Sequence, residues 1–217
     1  MTDEFHAGVK AGVSLILPTL AGGISFGVLA EPVLGAAASI VMSITVFSGA
    51  AQFAALTVLA TGGGALAAII AGMLLNARWL PMGLALGPSL RGSRARRAVE
   101  SVALVDASFV VASNGDGTFS RDRLIGSTLP QFAAWNLGTV IGVLGGSFLG
   151  DPEALGLDAM FPAFFACLLF DLLKDRTSVV TAALGALIAF VLMPFTPAGV
   201  PVVAAACAAL IGLRARA

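Results

Sequence analysis

An apolar stretch at residues 33–60 decides the fold; it reads VLGAAASIVMSITVFSGAAQFAALTVLA. It contains no Asp, Glu, Lys or Arg, and apolar and polar residues do not alternate along it. A helix that crosses a bilayer needs about 20 mostly apolar residues. This stretch is longer, and Gly49 interrupts it between small residues. It therefore predicts a membrane-embedded helix that either breaks near Gly49 or lets another backbone approach closely there.

The composition extends this prediction to the whole chain. The 217 residues are 58% hydrophobic and 11% charged, and their mean hydropathy is +0.98. Soluble domains are about 45–50% apolar and about 25% charged. The 12 Lys and Arg balance the 12 Asp and Glu, whereas a nucleic-acid binder needs a basic face. These values exclude an ordinary soluble domain, a disordered chain and a nucleic-acid partner, and they indicate a protein of the lipid bilayer.

Few residues are available for catalysis. His6 is the one histidine, and Cys167 and Cys207 both lie inside apolar runs. A metal site or a Ser-His-Asp triad needs more groups than these. We therefore expect no cofactor and no enzymatic activity.

Apolar segments continue along the chain. Together they predict an all-α, polytopic helical membrane protein with roughly six to eight membrane segments, at least one of them broken or re-entrant. The whole chain, 1–217, is predicted to form a single membrane transport domain. The candidate segments are 11–30, 33–60, 65–89, 98–113, 124–149, 158–173, 177–195 and 198–213.

Basic residues orient these segments. Arginines gather at 91–97, further cations lie at Lys174 and Arg176, and two arginines lie at the C-terminus. The positive-inside rule places all three groups in the cytoplasm. An even number of crossings must then separate the first two groups, yet three candidate segments lie between them. Either one of those segments does not span, or the rule fails at one loop.

Short matches suggest an internal repeat. Gln52-Phe53-Ala54-Ala55 recurs 79 residues later as Gln131-Phe132-Ala133-Ala134, and Ser25-Phe26 recurs as Ser108-Phe109. Two three-segment halves, 11–89 and 98–173, would be inverted in the membrane, and 177–213 would follow as a helical hairpin. Chance matches in Ala-rich sequence are the alternative.

The predicted break carries the first candidate site residues: Phe47, Ser48, Gly49 and Gln52. Ser48 and Gln52 add hydrogen-bonding groups one helical turn apart. Backbone N–H groups exposed by a break can hold a carboxylate. A small-residue contact between helices, with Gln52 as a hydrogen-bonding bridge, is the alternative.

Charged residues within apolar segments are the next candidates. Arg78 lies near the middle of segment 65–89, beside Asn76, and an arginine at the bilayer centre costs at least about 2.5–3.5 kcal/mol. An acidic residue, exposed carbonyls or an anionic ligand would compensate it. Alternatively, the span is shifted and Arg78 reaches an interface.

Two carboxylates complete the set. Asp106 lies within segment 98–113 and Asp158 opens segment 158–173. A carboxylate in a membrane is a candidate proton carrier or ammonium partner. A structural ion pair with Arg78 is the alternative for Asp106, and a surface helix cap is the alternative for Asp158.

Three stretches, in this order, resemble one known family. They are Phe47-Ser48-Gly49-Ala50-Ala51-Gln52-Phe53, Leu75-Asn76-Ala77-Arg78 and Leu157-Asp158-Ala159-Met160-Phe161-Pro162-Ala163. They resemble the AzlC family, the large subunits of branched-chain amino acid exporters, and the resemblance extends over about residues 12–195. Residues 104–109 resemble a further family motif in which Glu follows Asp, but Ala107 replaces that Glu.

The resemblance implies a multi-pass permease of the bacterial inner membrane that acts with a small AzlD-type membrane subunit. It implies export of branched-chain amino acids, driven by the proton motive force. A zwitterion would then find a carboxylate partner in Arg78 or at Gly49, and an ammonium partner in Asp106 or Gln52. Phenylalanines would surround its apolar side chain, with ordinary core packing as the alternative: Phe26, Phe47, Phe53 and Phe132. A channel or scaffold subunit whose partner carries the site is the alternative, and an intramembrane enzyme is a more distant one.

Overall fold

The computed structural model describes residues 2–60, 62–149, 156, 166, 169, 170, 173, 175–196, 200–206 and 208. Asp158 and most of the predicted segment 158–173 lie outside the described residues.

The described residues are helical, apart from turns and one β-bridge between Ser113 and Phe119. Gly87–Ser89 form a turn of 3-10 helix. The all-α prediction is therefore confirmed for these residues. The helices are α1 (Asp3–Ser14), α2 (Ile16–Leu34), α3 (Ala36–Val46), α4 (Gly49–Ala60), α5 (Ala65–Asn76), α6 (Trp79–Leu86), α7 (Arg94–Ser101), α8 (Asp106–Ala112), α9 (Arg121–Leu149), α10 (Arg176–Leu192) and α11 (Val200–Ala206).

Helix length and hydropathy identify few complete spans. Among the described helices, α2 alone is long and apolar enough to cross a membrane by itself. α5 and the segment that begins with α6 qualify together as one broken span, while α3, α4 and α10 are apolar but shorter. The count of six to eight membrane segments stays a prediction.

The chain divides into two compact units. The first unit contains Met1–Ser48 and Trp79–Gly150, and the second contains Gly49–Arg78 and Asp151–Ala217. Each unit combines pieces of both predicted repeat halves, and the repeat itself stays a prediction.

In the first unit, α1 and α2 run parallel to α9. Glycines let the backbones of these helices approach closely. Gly8 lies against Arg123, and Gly27 lies against Val143 further along both helices. A Cβ added at Gly27 would lie 2.9 Å from the Val143 nitrogen and 3.0 Å from the Gly142 Cα. Small residues spaced four apart allow this approach. The N-terminal ends of α1 and α9 therefore lie at the same end of the unit.

α3 returns along the same helix in the opposite direction. Ser43 Oγ and Thr139 Oγ1 are 2.9 Å apart. Phe47 follows Ser43 by one turn and contacts Phe132, which comes before Thr139 in α9. Both hydroxyls are fully buried and hydrogen-bonded to each other, so their burial leaves these groups satisfied.

The second unit also packs helices in pairs, at ordinary contact distances. A Cβ at Gly72 in α5 would lie 3.4 Å from the Ala51 oxygen in α4, and one at Gly185 in α10 would lie 3.5 Å from the Ala205 oxygen in α11. A turn at residues 193–196 follows α10. The hairpin predicted for 177–213 stays a prediction.

Candidate functional site

The overlong apolar stretch breaks at Phe47-Ser48. α3 ends at Val46 and α4 begins at Gly49, where the sequence predicts the break. Phe47 has φ 41° and ψ 46°, and no other non-glycine residue in the described ranges has a positive φ. This left-handed conformation costs an L-residue roughly 1–2 kcal/mol. Phe47 is 8% exposed, and its ring meets Phe132 of α9 at a centroid distance of 4.9 Å, which offsets the strain.

Polar groups concentrate at this break. Ser48 is 4% exposed and Gln52 is fully buried. Gly49 opens α4, whose first N–H groups have no partner within their own helix and carry the positive end of its dipole. The break therefore has buried polar side chains next to the start of α4, and its role in binding a carboxylate stays a prediction.

Arg78 lies at the C-terminal end of α5. Its Nη1 donates to the Leu75 carbonyl over 2.5 Å, and the residue is partly buried. Asn76, also partly buried, is the last residue of the helix. The last carbonyls of a helix carry partial negative charge. A backbone carbonyl, that of Leu75, is thus one partner of the guanidinium.

Asp106 is the first residue of α8, and residues 98–113 do not form one continuous helix. α7 ends at Ser101, residues 102–105 are not helical, and α8 has 7 residues. A helix of that length rises about 10 Å, whereas the hydrocarbon core is about 30 Å thick. Glu100, near the end of α7, binds Arg121 at the start of α9.

The chain from α7 to α9 leaves and returns at the same end of α9. Before Asp106, the Glu100 carboxylate accepts a hydrogen bond from Arg121. After Asp106, the Asn114 side chain accepts one from Arg123. Both arginines lie in the first turn of α9. The charge pattern implies that one of three candidate segments does not span or that the rule fails at one loop, and this element returns to the end of α9 at which it began.

Two hydroxyls that the sequence analysis did not select support the turn before Asp106. The Ala103 carbonyl accepts hydrogen bonds from Thr128 Oγ1 over 2.7 Å and from Ser108 Oγ over 2.6 Å. The Val105 nitrogen donates to Ser108 Oγ over 2.9 Å. Ser108 is fully buried. These bonds satisfy the Ala103 carbonyl and the Val105 N–H, which lie in the non-helical residues 102–105. They fix Asp106 at the start of α8.

Glu100 anchors the base of this element. Its carboxylate accepts hydrogen bonds from Arg121 Nε over 2.7 Å, from Arg96 Nε over 2.8 Å, and from Arg121 Nη2. Its side chain is 8% exposed. The hydrogen bonds from Arg121, assisted by Arg96, lower the pKa of Glu100 to about 2 against the opposing effect of burial. The signal in the sequence is the four-residue spacing of Arg96 and Glu100; Arg121 is a long-range partner that spacing cannot reveal.

The selected residues fall into two groups. Phe47, Ser48 and Asp106 belong to the first unit. Gly49, Gln52, Asn76 and Arg78 belong to the second. The structure brings Phe47 to Phe132 within the first unit, and it stacks Phe26 on Trp135 there, with centroids 6.3 Å apart. The ion pair of Arg78 with Asp106 stays a prediction, as do the roles of all these residues.

Comparisons with known proteins place the chain among membrane proteins. An "uncharacterized membrane protein" of Helicobacter pylori (strain 26695) is 26% identical over 183 residues, which are 82% of this chain and 80% of that protein. The inner membrane protein YgaZ of Escherichia coli K12 is 28% identical over 195 residues, 83% and 78% of the two chains. An "uncharacterized membrane protein" of Archaeoglobus fulgidus is 28% identical over 201 residues, 90% and 89% of the two chains. No solved structure matches.

The family comparison covers the helices that carry most of the selected residues. Residues 14–149 match the family described as AzlC protein, which is more than half of the chain. The match begins in the last turn of α1 and extends to the end of α9. The chain therefore belongs to the AzlC family.

Proposed function

We propose that this protein is the large subunit of a transporter that exports branched-chain and similar small apolar amino acids across the bacterial inner membrane. Membership of the AzlC family and similarity to proteins named as membrane proteins support a transport-related role. One structural observation carries the proposal further. Apolar helices are broken at Phe47-Ser48 and at Ala77-Arg78, and polar side chains lie at both breaks.

Broken helices suit a carrier because non-helical backbone at membrane depth is tolerated only inside protein or beside a water-filled cavity. Transporters place substrate groups at the ends of such half-helices. The N-terminus of α4 and the guanidinium of Arg78 offer positive charge to a substrate carboxylate. Asp106 and Gln52 offer oxygens to an ammonium group, and Phe47 and Phe132 offer apolar surface.

We propose further that transport proceeds by alternating access, with a proton exchanged at Asp106. Asp106 is partly exposed at the start of a short helix, and the hydrogen-bonded turn before it fixes its backbone. A carboxylate in that position can bind a proton or an ammonium group, but not both at once. Exchange of one for the other would couple export to the proton gradient. A small AzlD-type subunit completes this transporter, and no enzymatic step is required.

Export from cells loaded with a branched-chain dipeptide tests the proposal. Asp106→Asn and Arg78→Ala should each lower the initial export rate at least tenfold, with normal amounts of protein in the membrane. Asp116→Asn and Lys10→Ala are matched controls at exposed positions and should export at the parental rate. Parental export by both Asp106→Asn and Arg78→Ala would overturn the site assignment.

Reconstitution into liposomes with and without the small subunit tests the type of transport. Saturable flux of the amino acid supports a carrier. Conductance that does not saturate would replace the proposal with a channel. Saturable flux that persists when every polar residue at the two breaks of this chain is substituted would assign the site to the small subunit.

A further inference from the structure

α7 carries an unusual density of positive charge. Arg91 precedes the helix, Arg94 is its first residue, and both are exposed. Arg97 follows Arg94 by about one turn. Arg97 Nη2 donates to the Gly87 carbonyl over 3.0 Å, which holds the start of the helix against the preceding turn. The one acid of α7, Glu100, is paired with arginines of the protein itself. The outer surface of this region is therefore cationic.

A different face of α7 is apolar and exposed. Val99 is 73% exposed and Val102, which caps the helix, is 65% exposed. Ala95 is also exposed, and these residues recur at i, i+4 and i+7, which places them along one side of the helix. Glu100 lies on a third side of the helix, which faces α9. α7 thus presents apolar and basic sides to its surroundings while its acidic side binds the protein.

The position of α7 within the first unit is also informative. It contacts the first residue of α9 through Glu100, and Glu4 near the start of α1 pairs with Arg123 in the same turn. α1 and α9 run parallel and begin at the same end of the unit, and α2 continues from α1 along α9. α7 lies at the end where α1 and α9 begin. In a membrane-embedded protein, the end of such a pair meets the headgroup layer.

We propose that α7 is an interfacial helix that binds anionic phospholipids, with Arg91 and Arg94 at the phosphate groups and Val99 and Val102 in the upper acyl chains. Helices with a basic side and an apolar side lie in the membrane interface in this way. Cations near an anionic leaflet each strengthen binding about fivefold. The excess of positive charge selects phosphatidylglycerol over zwitterionic lipid. This inference is independent of what the protein transports.

Fluorescence quenching in nanodiscs tests the proposal on the full chain. A bimane label is attached at Val99→Cys in a Cys167→Ser/Cys207→Ser background. Bromine-labelled phosphatidylglycerol or bromine-labelled phosphatidylcholine is then added at equal mole fractions in phosphatidylcholine discs. We expect stronger quenching by the phosphatidylglycerol, with a local enrichment of at least fivefold.

Charge variants complete the test. Arg91→Gln/Arg94→Gln should abolish the preference for phosphatidylglycerol while quenching by phosphatidylcholine persists. Lys10→Gln removes an exposed cation from α1 and should leave the preference unchanged. Equal quenching by both lipids in the parental chain would overturn the headgroup assignment. No quenching by either lipid would show that α7 lies outside the interface.

Discussion

Phe47 and Phe132 meet edge to face, with ring centroids 4.9 Å apart and ring planes at 71°. One ring belongs to the residue at which an apolar helix breaks, and the other lies within the long helix α9. The contact joins a strained backbone position to a rigid element. It explains how a non-glycine residue keeps a left-handed conformation inside an apolar segment.

Substitutions at Phe47 should show an inverted order of stability. In a regular helix, alanine is better than glycine by about 1 kcal/mol. At Phe47 both substitutions lose the ring, but glycine also removes the left-handed strain, so Phe47→Gly should be more stable than Phe47→Ala by about 1 kcal/mol. Thermal unfolding of the purified protein in detergent measures the order. If Phe47→Ala were the more stable variant, the break would not require a positive φ.

Glycines in α9 should differ sharply in their tolerance of alanine. A Cβ at Gly142 would lie 2.9 Å from the Val28 nitrogen and 3.0 Å from the Gly27 Cα, so α2 and α9 must separate. Gly142→Ala should therefore lower the melting temperature. Gly145 has no atom within 4 Å of an added Cβ, and Gly145→Ala should keep or raise the melting temperature. Equal melting temperatures for the two variants would contradict the close parallel packing.

Glu100 should contribute stability that depends on pH. Its pKa falls from 4.5 to about 2 on folding, so the folded state favours the ionised form. The contribution is complete above pH 4.5 and disappears as the pH falls towards about 2. Melting temperatures of the parental protein and Glu100→Gln should therefore converge on acidification through this range. Glu31→Gln, at an exposed position of α2, serves as control and should track the parental protein throughout. A difference that stays constant across the range would contradict the assigned role of the ionised carboxylate.

Labelling of single cysteines should place both ends of the α7–α9 connection on one side of the membrane. In a Cys167→Ser/Cys207→Ser background, Arg91→Cys and Asp116→Cys should both react with a membrane-impermeant maleimide in inside-out vesicles and not in intact cells. Both positions are exposed, and the intervening chain returns to its starting level. Glu31→Cys, near the end of α2, should show the opposite pattern. Reaction of Asp116→Cys in intact cells would restore segment 98–113 as a span.

Local features of the sequence account for much of what the structure shows. The absence of charge over residues 33–60 and the small residues around Gly49 predict a helix and its break, because both depend on local backbone and side-chain properties. The prolines at 194 and 197 likewise predict the turn after α10. Arg78 could be selected from its position alone, since a charge in an apolar run needs a partner.

The placement of Asp106 shows where sequence reasoning stops. The run from Ala98 to Ser113 is apolar enough to suggest a span, and the odd number of candidate segments between the basic groups does not say which of the three differs. Arg121, 21 residues after Glu100, supplies the hydrogen bonds that hold the base of the element, and Thr128 supplies one to the turn above it. Such partners become neighbours only when α9 packs against α7 and α8.

The sequence by itself determined that the chain is helical and apolar, where one helix could break, and which family it resembles. These properties follow from residue composition, period and motif, which are local. Tertiary structure alone decided that α2 and α9 run in parallel, that Phe132 supports the break, and that the segment with Asp106 folds back. Those outcomes depend on contacts between distant residues, whose free energies no local pattern contains.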